Sequence, residues 1–283
     1  HVDVPNAYVQ AELDDVDIWI EPPKEYECWY DRDGIKTSKV LKLKKALYGT
    51  KQAGRLWQQK LRAHLLEPAQ GFHNIKSDPC LFERTNKYGT IIIGVYVDDL
   101  IICHSGSAVF DPFIKLFRDK IKGFDCTDPE PLSWFLGVAI DTHPDGSVSI
   151  NQSKYINDLV GRFVTSQGCS IARKVPILDA KFKLCGPSKD EYERAKMQNK
   201  PYMELIGSLL YVSTMSRPDV SHQMSILCKY MADPNEHCYD AAIQLLLYLH
   251  KTKDRAISYG GKPCKAQVQF NEYIQSRTDV ISP

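Results

Sequence analysis

Two apolar runs separated by a pair of carboxylates are the sharpest pattern along the chain. Ile91 to Val97 and Leu100 to Cys103 are rich in β-branched residues and stand only two residues apart. That spacing predicts a buried hairpin with strands at 90–97 and 100–103 and Asp98-Asp99 as its turn. Upstream, the alternation Lys39-Val40-Leu41-Lys42-Leu43-Lys44 predicts a strand, and a helix is expected from Gly54 through Leu66. Downstream, a helix is expected at 110–122 and strands at 134–141 and 147–151, with Asp145-Gly146 as the turn between the last two.

Beyond residue 152 the period becomes helical. Tyr155, Ile156, Leu159, Val160 and Phe163 make one apolar stripe. Asp233-Pro234-Asn235-Glu236 reads as an N-cap, a proline at N1 and a glutamate at N3. The long helix that it opens carries Cys238, Ala241, Ala242, Leu245, Leu246 and Leu249 on one face. Residues 168–190 contain Gly168, Pro176, Gly186 and Pro187 without sustained periodicity and read as a linker. The pattern is therefore an α+β front half and a mainly helical back half, with no internal repeat.

Adjacent aspartates in a tight hairpin are locally costly, because such turns favour Asn-Gly or Asp-Gly. The cost suggests a use. Two carboxylates on a rigid β scaffold, joined by a third, suit hard divalent ions that clamp a phosphoryl-transfer transition state. A solvated polar turn is the alternative reading. Asp3, inside the short apolar stretch His1 to Val9, is the candidate third carboxylate, although an aspartate at a strand end is more often a cap or a surface residue.

Composition narrows the class. With 283 residues and 43% apolar content the chain can bury a sizeable core and hold two domains. There is no run of about 18 apolar residues and no apolar leader pattern at the start, so an intracellular protein without a membrane partner is expected. Nine cysteines without a Cys-x-x-Cys pair fit reduced structural thiols better than disulfides or zinc, His104 beside Cys103 and His237 beside Cys238 included.

The net charge of +1 conceals a strong asymmetry. Lys36, Lys39, Lys42, Lys44, Lys45, Lys51, Arg55 and Lys60 fall in residues 36–60 with no acidic residue, whereas residues 12–33 carry nine acidic residues against Lys24 and Arg32. A basic run is often just a solvated face. Here Tyr48 and Trp57 interrupt it and it lies between the two carboxylate motifs, which favours contact with nucleic-acid phosphates.

Taken in order, Asp3 to Tyr8, Leu47-Tyr48-Gly49-Thr50-Lys51-Gln52-Ala53-Gly54-Arg55-Leu56-Trp57 and Tyr96-Val97-Asp98-Asp99 form a constellation that resembles the reverse transcriptase of copia-type retrotransposons. The resemblance continues through Ser133-Trp134-Phe135-Leu136-Gly137-Val138, Asn151-Gln152-Ser153-Lys154-Tyr155-Ile156 and Leu205 to Tyr211. It reaches further into Ser216-Arg217-Pro218-Asp219-Val220 and Tyr248-Leu249-His250-Lys251-Thr252, and covers roughly residues 1 to 260.

The resemblance implies an RNA-directed DNA polymerase with a right-hand palm, an antiparallel sheet with packed helices, over residues 1–151. A helical thumb and connection region is implied over 152–255, and a degenerate start of a ribonuclease H-like region over 256–283. Asp3, Asp98 and Asp99 would be the catalytic and metal-binding carboxylates, holding two magnesium ions, with manganese as the alternative ion. Tyr8 would exclude a 2′-hydroxyl, an ordinary core tyrosine being the plainer reading. Gly49, Lys51, Gln52 and Tyr96 would line the nucleotide pocket. Lys42, Lys44, Lys45, Arg55, Phe135, Leu136 and Gly137 would contact nucleic acid. The implied partners are an RNA or DNA template with its primer, deoxynucleoside triphosphates, and the integrase and ribonuclease H parts of a Pol polyprotein. The implied location is a cytoplasmic virus-like particle, with the nucleus as the alternative.

Three departures from the family pattern stand out. Gly54 occupies a position where the family usually has proline, and the chain opens at His1 inside the first motif, without the fingers segment expected before it. At the other end only Glu272 matches an acidic position of ribonuclease H. The expectation is an excised or decaying polyprotein fragment, and the competing functional class is a catalytically silent fragment that at most binds nucleic acid through the basic run.

Overall fold

The computed structural model describes residues 1–13, 17–21, 40–119, 123–164 and 183–260. The protein is a mixed α+β chain with antiparallel sheets, divided into two compact units at Leu132/Ser133. The boundary expected after Asn151 falls later than this division. Strands at 134–151 belong with the second unit, where a strand from residues 257–259 adds to their edge.

The first unit is built on a five-stranded antiparallel sheet. Its strands are β1 (Val2–Asp3), β4 (His73–Asn74), β5 (Leu81–Asn86), β6 (Gly89–Tyr96) and β7 (Asp99–His104), in the order β1-β7-β6-β5-β4. A short ribbon pairs β2 (Trp19–Ile20) with β3 (Leu41–Lys42), so the strand expected at 39–44 shrinks to two residues. Helices α1 (Ala7–Gln10), α2 (Ala53–Leu65) and α3 (Ser107–Phe117) complete the described elements of this unit. The amphipathic spacing of α2 buries Leu56, Trp57, Leu61 and Leu65, which join Ile91, Ile93 and Leu100 of the sheet and Phe113 and Phe117 of α3 in one core. Alternation in β6 places Ile91 and Ile93 inward while Ile92 is exposed.

In the second unit, β8 (Trp134–Phe135), β9 (Val138–Thr142), β10 (Val148–Asn151) and β11 (Ile257–Tyr259) form a sheet in the order β11-β10-β9-β8. The single strand expected at 134–141 is broken because Leu136 and Gly137 both have positive φ, 48° and 79°, and turn the chain between Phe135 and its partner Val138. Positive φ at both central residues is the type I′ signature, which glycine adopts readily. Asp145-Gly146 does turn the chain, with Gly146 at φ 80° and Asp145 Oδ1 accepting from Ser147 N at 3.0 Å.

Helices α4 (Ser153–Phe163), α5 (Glu191–Gln198), α6 (Tyr202–Met215), α7 (Ser221–Leu227) and α8 (Glu236–Lys251) bury the second core. The stripe predicted for α4 is inward, with Ile156, Leu159 and Phe163 buried. The cap of α8 is displaced from its expected place. Asn235, not Asp233, accepts from Cys238 N at 3.0 Å, because Asp233 is engaged with Arg194 through two bonds of 3.1 Å. The linker expected at 168–190 and the degenerate region at 256–283 lie largely outside the described residues, and Glu272, Lys36 and Lys39 lie wholly outside them. Among the described residues no helix is long and apolar enough to cross a membrane.

The motifs read as thumb and connection segments meet in a polar knot within the second unit. Arg217 is 2% exposed and donates to both carboxylate oxygens of Asp219, at 2.9 and 2.8 Å, and to the carbonyl and hydroxyl of Thr252, at 3.0 and 2.7 Å. Tyr248 Oη donates to Asp219 at 2.8 Å, and Ser216 Oγ donates to the buried Gln152 Oε1 at 2.8 Å. A buried guanidinium needs this density of partners, since an unpaired charge in a core is strongly unfavourable.

Candidate active site

The three aspartates singled out in the sequence come together at one end of the first sheet. Asp3 of β1 stands directly opposite Asp99 of β7, and Val4 N donates to Asp98 O at 2.9 Å. Opposed residues of an antiparallel pair project from the same face, so this register puts both side chains on one side of the sheet. The loop leading from α3 braces β1, with Asp3 N donating to Thr127 Oγ1 at 3.0 Å and Thr127 N donating to Asp3 O at 2.8 Å.

The hairpin turn differs in register from the expected one. Tyr96 pairs with Asp99, so the two turn residues are Val97 and Asp98, and Asp99 begins the return strand. Val97 sits at φ 55°, a left-handed conformation that is strained for a β-branched residue. Trp57 holds it there. Its indole Nε1 donates to Val97 O at 2.6 Å from the buried face of α2. Sequence reasoning gave Trp57 no role beyond interrupting the basic run, and its one available signal was that a buried indole N–H needs a partner.

Charge is concentrated here. Burial first, and then the negative charges of Asp98 and Asp99, push the Asp3 carboxyl above its usual range, with His1 pulling the other way. His1 Nε2 meets Asp99 Oδ1 at 2.8 Å, a pairing that the sequence did not suggest. Among the described residues, no three His, Cys, Asp or Glu side chains form a set able to hold a metal ion by themselves. Carboxylates are the donor type that magnesium takes, an ion usually held by one or two of them together with substrate phosphates.

The crowding has a measurable consequence. An acid whose native pKa is raised destabilises the fold above its unfolded pKa, and the penalty disappears as pH falls below that value. Asp3→Asn should therefore raise the melting temperature by about 1–3 °C at pH 7 with chelator present, and leave it unchanged near pH 3. A lower melting temperature at pH 7 would mean that the Asp3 charge anchors the fold instead.

The surrounding candidates are distributed as follows. Tyr8, on α1, stacks on Tyr48 with ring centroids 4.4 Å apart. Both aromatic rings thus flank the segment that carries Gly49, at φ 93°, with Lys51 exposed and Gln52 capping α2 through its backbone carbonyl to Leu56 N at 3.0 Å. A mostly apolar cavity of about 250 Å³ is lined by Tyr8, Gly54, Trp57, Val95, Tyr96 and Val97. A Cβ at Gly54 would stand 3.6 Å from Tyr8 Oη, an ordinary van der Waals contact.

Every described cation of the basic run is exposed, but part of its charge is already engaged. Lys42 is tied to Asp17 at 2.6 Å, Lys60 donates to Gln10 O at 2.6 Å and Arg55 donates to Gln59 at 3.1 Å. In the second unit, Phe135, Leu136 and Gly137 form the β8–β9 turn, and Tyr211 Oη donates to Leu136 O.

The chain is 29% identical over 263 residues to the retrovirus-related Pol polyprotein from transposon TNT 1-94 of Nicotiana tabacum, covering 92% of this chain and 19% of that protein. It is 31% identical over 257 residues to the Pol polyprotein from transposon RE1 of Arabidopsis thaliana, covering 90% and 16%. A putative transposon Ty5-1 protein of Saccharomyces cerevisiae is 25% identical over 261 residues, covering 91% and 78%. The chain thus spans less than a fifth of the length of the two plant relatives. No solved structure matches. The sequence model of the reverse transcriptase (RNA-dependent DNA polymerase) family covers residues 1–178, well over half of the chain, and with these relatives the protein belongs to that family as a copia-type retrotransposon reverse transcriptase region.

Proposed function

We propose that this chain carries the palm of an RNA-directed DNA polymerase, with the helices of its second unit serving as thumb and connection, and that it extends a primer with deoxynucleoside triphosphates at Asp3, Asp98 and Asp99. The observation that carries this reading is the register of β1 against β7, which sets Asp3 opposite Asp99 and bonds Val4 to the backbone of Asp98. Three carboxylates on one sheet edge, with the pKa of Asp3 pushed up first by burial and then by the other two charges, form a site that gains most from bound cations.

Asp3 and Asp98 would hold two magnesium ions, or manganese, which when bound activate the primer hydroxyl and neutralise the triphosphate. The remaining work falls to positioning by the chain's own residues. Trp57 fixes the Val97 turn and with it the aim of Asp98. Asp99, paired with His1, keeps a second negative charge next to the site without being free to swing away. Tyr8, backed by Tyr48, is a rigid wall for the sugar of the incoming nucleotide, and the exposed Gly49 and Lys51, with Gln52, face the nucleotide and template. Lys44 and Lys45 supply phosphate contacts on the template side, with Lys42 and Arg55 as weaker contributors because each already has a partner. Phe135, Leu136 and Gly137 contact the primer strand. The integrase and ribonuclease H activities of a Pol polyprotein, and a virus-like particle in the cytoplasm, are the setting that this reading entails.

Primer extension on a primed RNA template, by a polymerase containing residues 1–283, tests this proposal. Tyr8→Ala should leave deoxynucleotide incorporation within about tenfold and raise ribonucleotide incorporation by about 10²-fold, since removing the ring removes a clash against the 2′-hydroxyl and little else. Unchanged sugar selectivity would reduce Tyr8 to a packing residue. Absence of any template-dependent extension would refute the polymerase assignment.

A further inference from the structure

Away from the carboxylates, two cysteines of the second unit occupy one pocket of its core. Cys185 lies in the segment before α5, and Cys238 is the third residue of α8. Both are buried in the same apolar cluster. The residues on either side of Cys185 are bonded to the start of α8. Leu184 O accepts from Asn235 Nδ2 at 2.9 Å, and Gly186 O accepts from Asn235 N at 3.0 Å and from Cys238 Sγ at 3.5 Å. These bonds bring the two thiols into hydrogen-bonding contact, with Tyr202 closing the other side.

We propose that Cys185 and Cys238 are a redox-modification site, closing to a reversible disulfide when the protein meets a small hydroperoxide. Cys238 is the attacking sulfur. Its hydrogen bond with Cys185, aided by the backbone at Gly186 and Asn235, pulls its pKa down against the opposing effect of burial, while that same bond and burial push Cys185 upward. The Cys238 thiolate attacks the terminal peroxide oxygen, the O–O bond breaks, and the departing hydroxide of hydrogen peroxide, or alkoxide of an organic hydroperoxide, takes a proton to leave as water or alcohol. Cys185 then gives up its proton and attacks the Cys238 sulfenic sulfur, and the second oxygen leaves as water. Two thiols lose two electrons and one peroxide gains them. A reactant of this size needs only a local opening of residues 183–186, where Lys183 and Leu184 are already exposed.

The new bond would tie the 183–190 segment to α8 across a loop of about fifty residues and restrict the unfolded chain. The 283-residue chain is treated with hydrogen peroxide, alkylated, digested without reductant and mapped by mass spectrometry, with a thermal melt in parallel. A cross-linked pair of peptides carrying Cys185 and Cys238, two hydrogens lighter than the reduced pair, is expected, with a melting temperature raised by about 5 °C or more. Dithiothreitol should reverse both changes, and Cys185→Ser should abolish both. If serine at 185 prevents folding, Cys238→Ala serves as the second variant. Alkylation of both thiols after peroxide, a sulfinic acid at Cys238, or disulfides confined to other cysteines would overturn the assignment.

Discussion

Replacing Asp98 with asparagine is expected to reduce primer extension by about 10³-fold or more while leaving primer-template affinity within about twofold. The turn should survive the change. Asp98 contributes its backbone carbonyl to Val4 N, and the turn itself is held through Val97 O by Trp57, so the amide loses a charge without losing a structural bond. Asp99→Asn should cost less, about 10–100-fold, because Asp99 already shares its carboxylate with His1 and supports the site from the side. Extension assays and filter-binding titrations on one primed template, in a polymerase containing residues 1–283, separate the two quantities. Parallel loss of extension and affinity would make Asp98 a structural residue, and undiminished extension would sink the mechanism.

The largest expected effect on stability lies far from the chemistry. Asp219→Ala should destabilise the second unit by about 2–3 kcal/mol, a fall in melting temperature of roughly 4–10 °C. The figure stays at the lower end of what breaking a buried ion pair costs, since the Asp219 side chain is 34% exposed and water can reach it. What the alanine leaves behind is a guanidinium that is only 2% exposed and still donates to Thr252, with two of its other donors orphaned, and a Tyr248 hydroxyl without its acceptor. The pH dependence follows from the direction of the shift. Burial alone would raise the Asp219 pKa, but hydrogen bonds from Arg217 and Tyr248 outweigh it and hold the carboxyl below its ordinary value. The stability that Asp219 contributes is then fully present above the unfolded pKa and is lost as pH falls through the native one. Wild type and Asp219→Ala should therefore converge in melting temperature as pH approaches 2. A constant gap at every pH would mean that side-chain packing, not the carboxylate, is what the alanine removes.

The apolar runs flanking the aspartates were sufficient to locate β6 and β7, because β-branched residues two apart leave a chain few alternatives. They were insufficient to fix the turn. Periodicity cannot see that Asp99 pairs with Tyr96, nor that Val97, a poor residue for positive φ, is held there by an indole forty residues earlier. The cap of α8 shows the same limit. Asp233-Pro234 has the right local chemistry for a helix start, yet Arg194, from another helix, claims the aspartate and leaves the capping to Asn235. Gly137 was legible as part of a family motif but not as half of a type I′ turn that splits one expected strand into two. The pairing of Asp3 with Asp99 was inferred from motif order alone, since nothing local in His1 to Val9 indicates which strand it joins. Motifs around Arg217 and Tyr248 entered the sequence reading only through their order along the chain, and their atoms mainly satisfy one another. Short-range chemistry predicts short-range structure, and long-range polar partners redirect it.

The clasp between Trp57 and Val97 also gives the molecule an optical gauge. The chain has four tryptophans, and Trp57 is a buried indole whose N–H ends on the carbonyl next to Asp98. Its emission colour and quenching therefore follow the hydration and electric field at the carboxylate edge. With the other three tryptophans replaced, a change in that turn should register in the Trp57 emission without any label being attached.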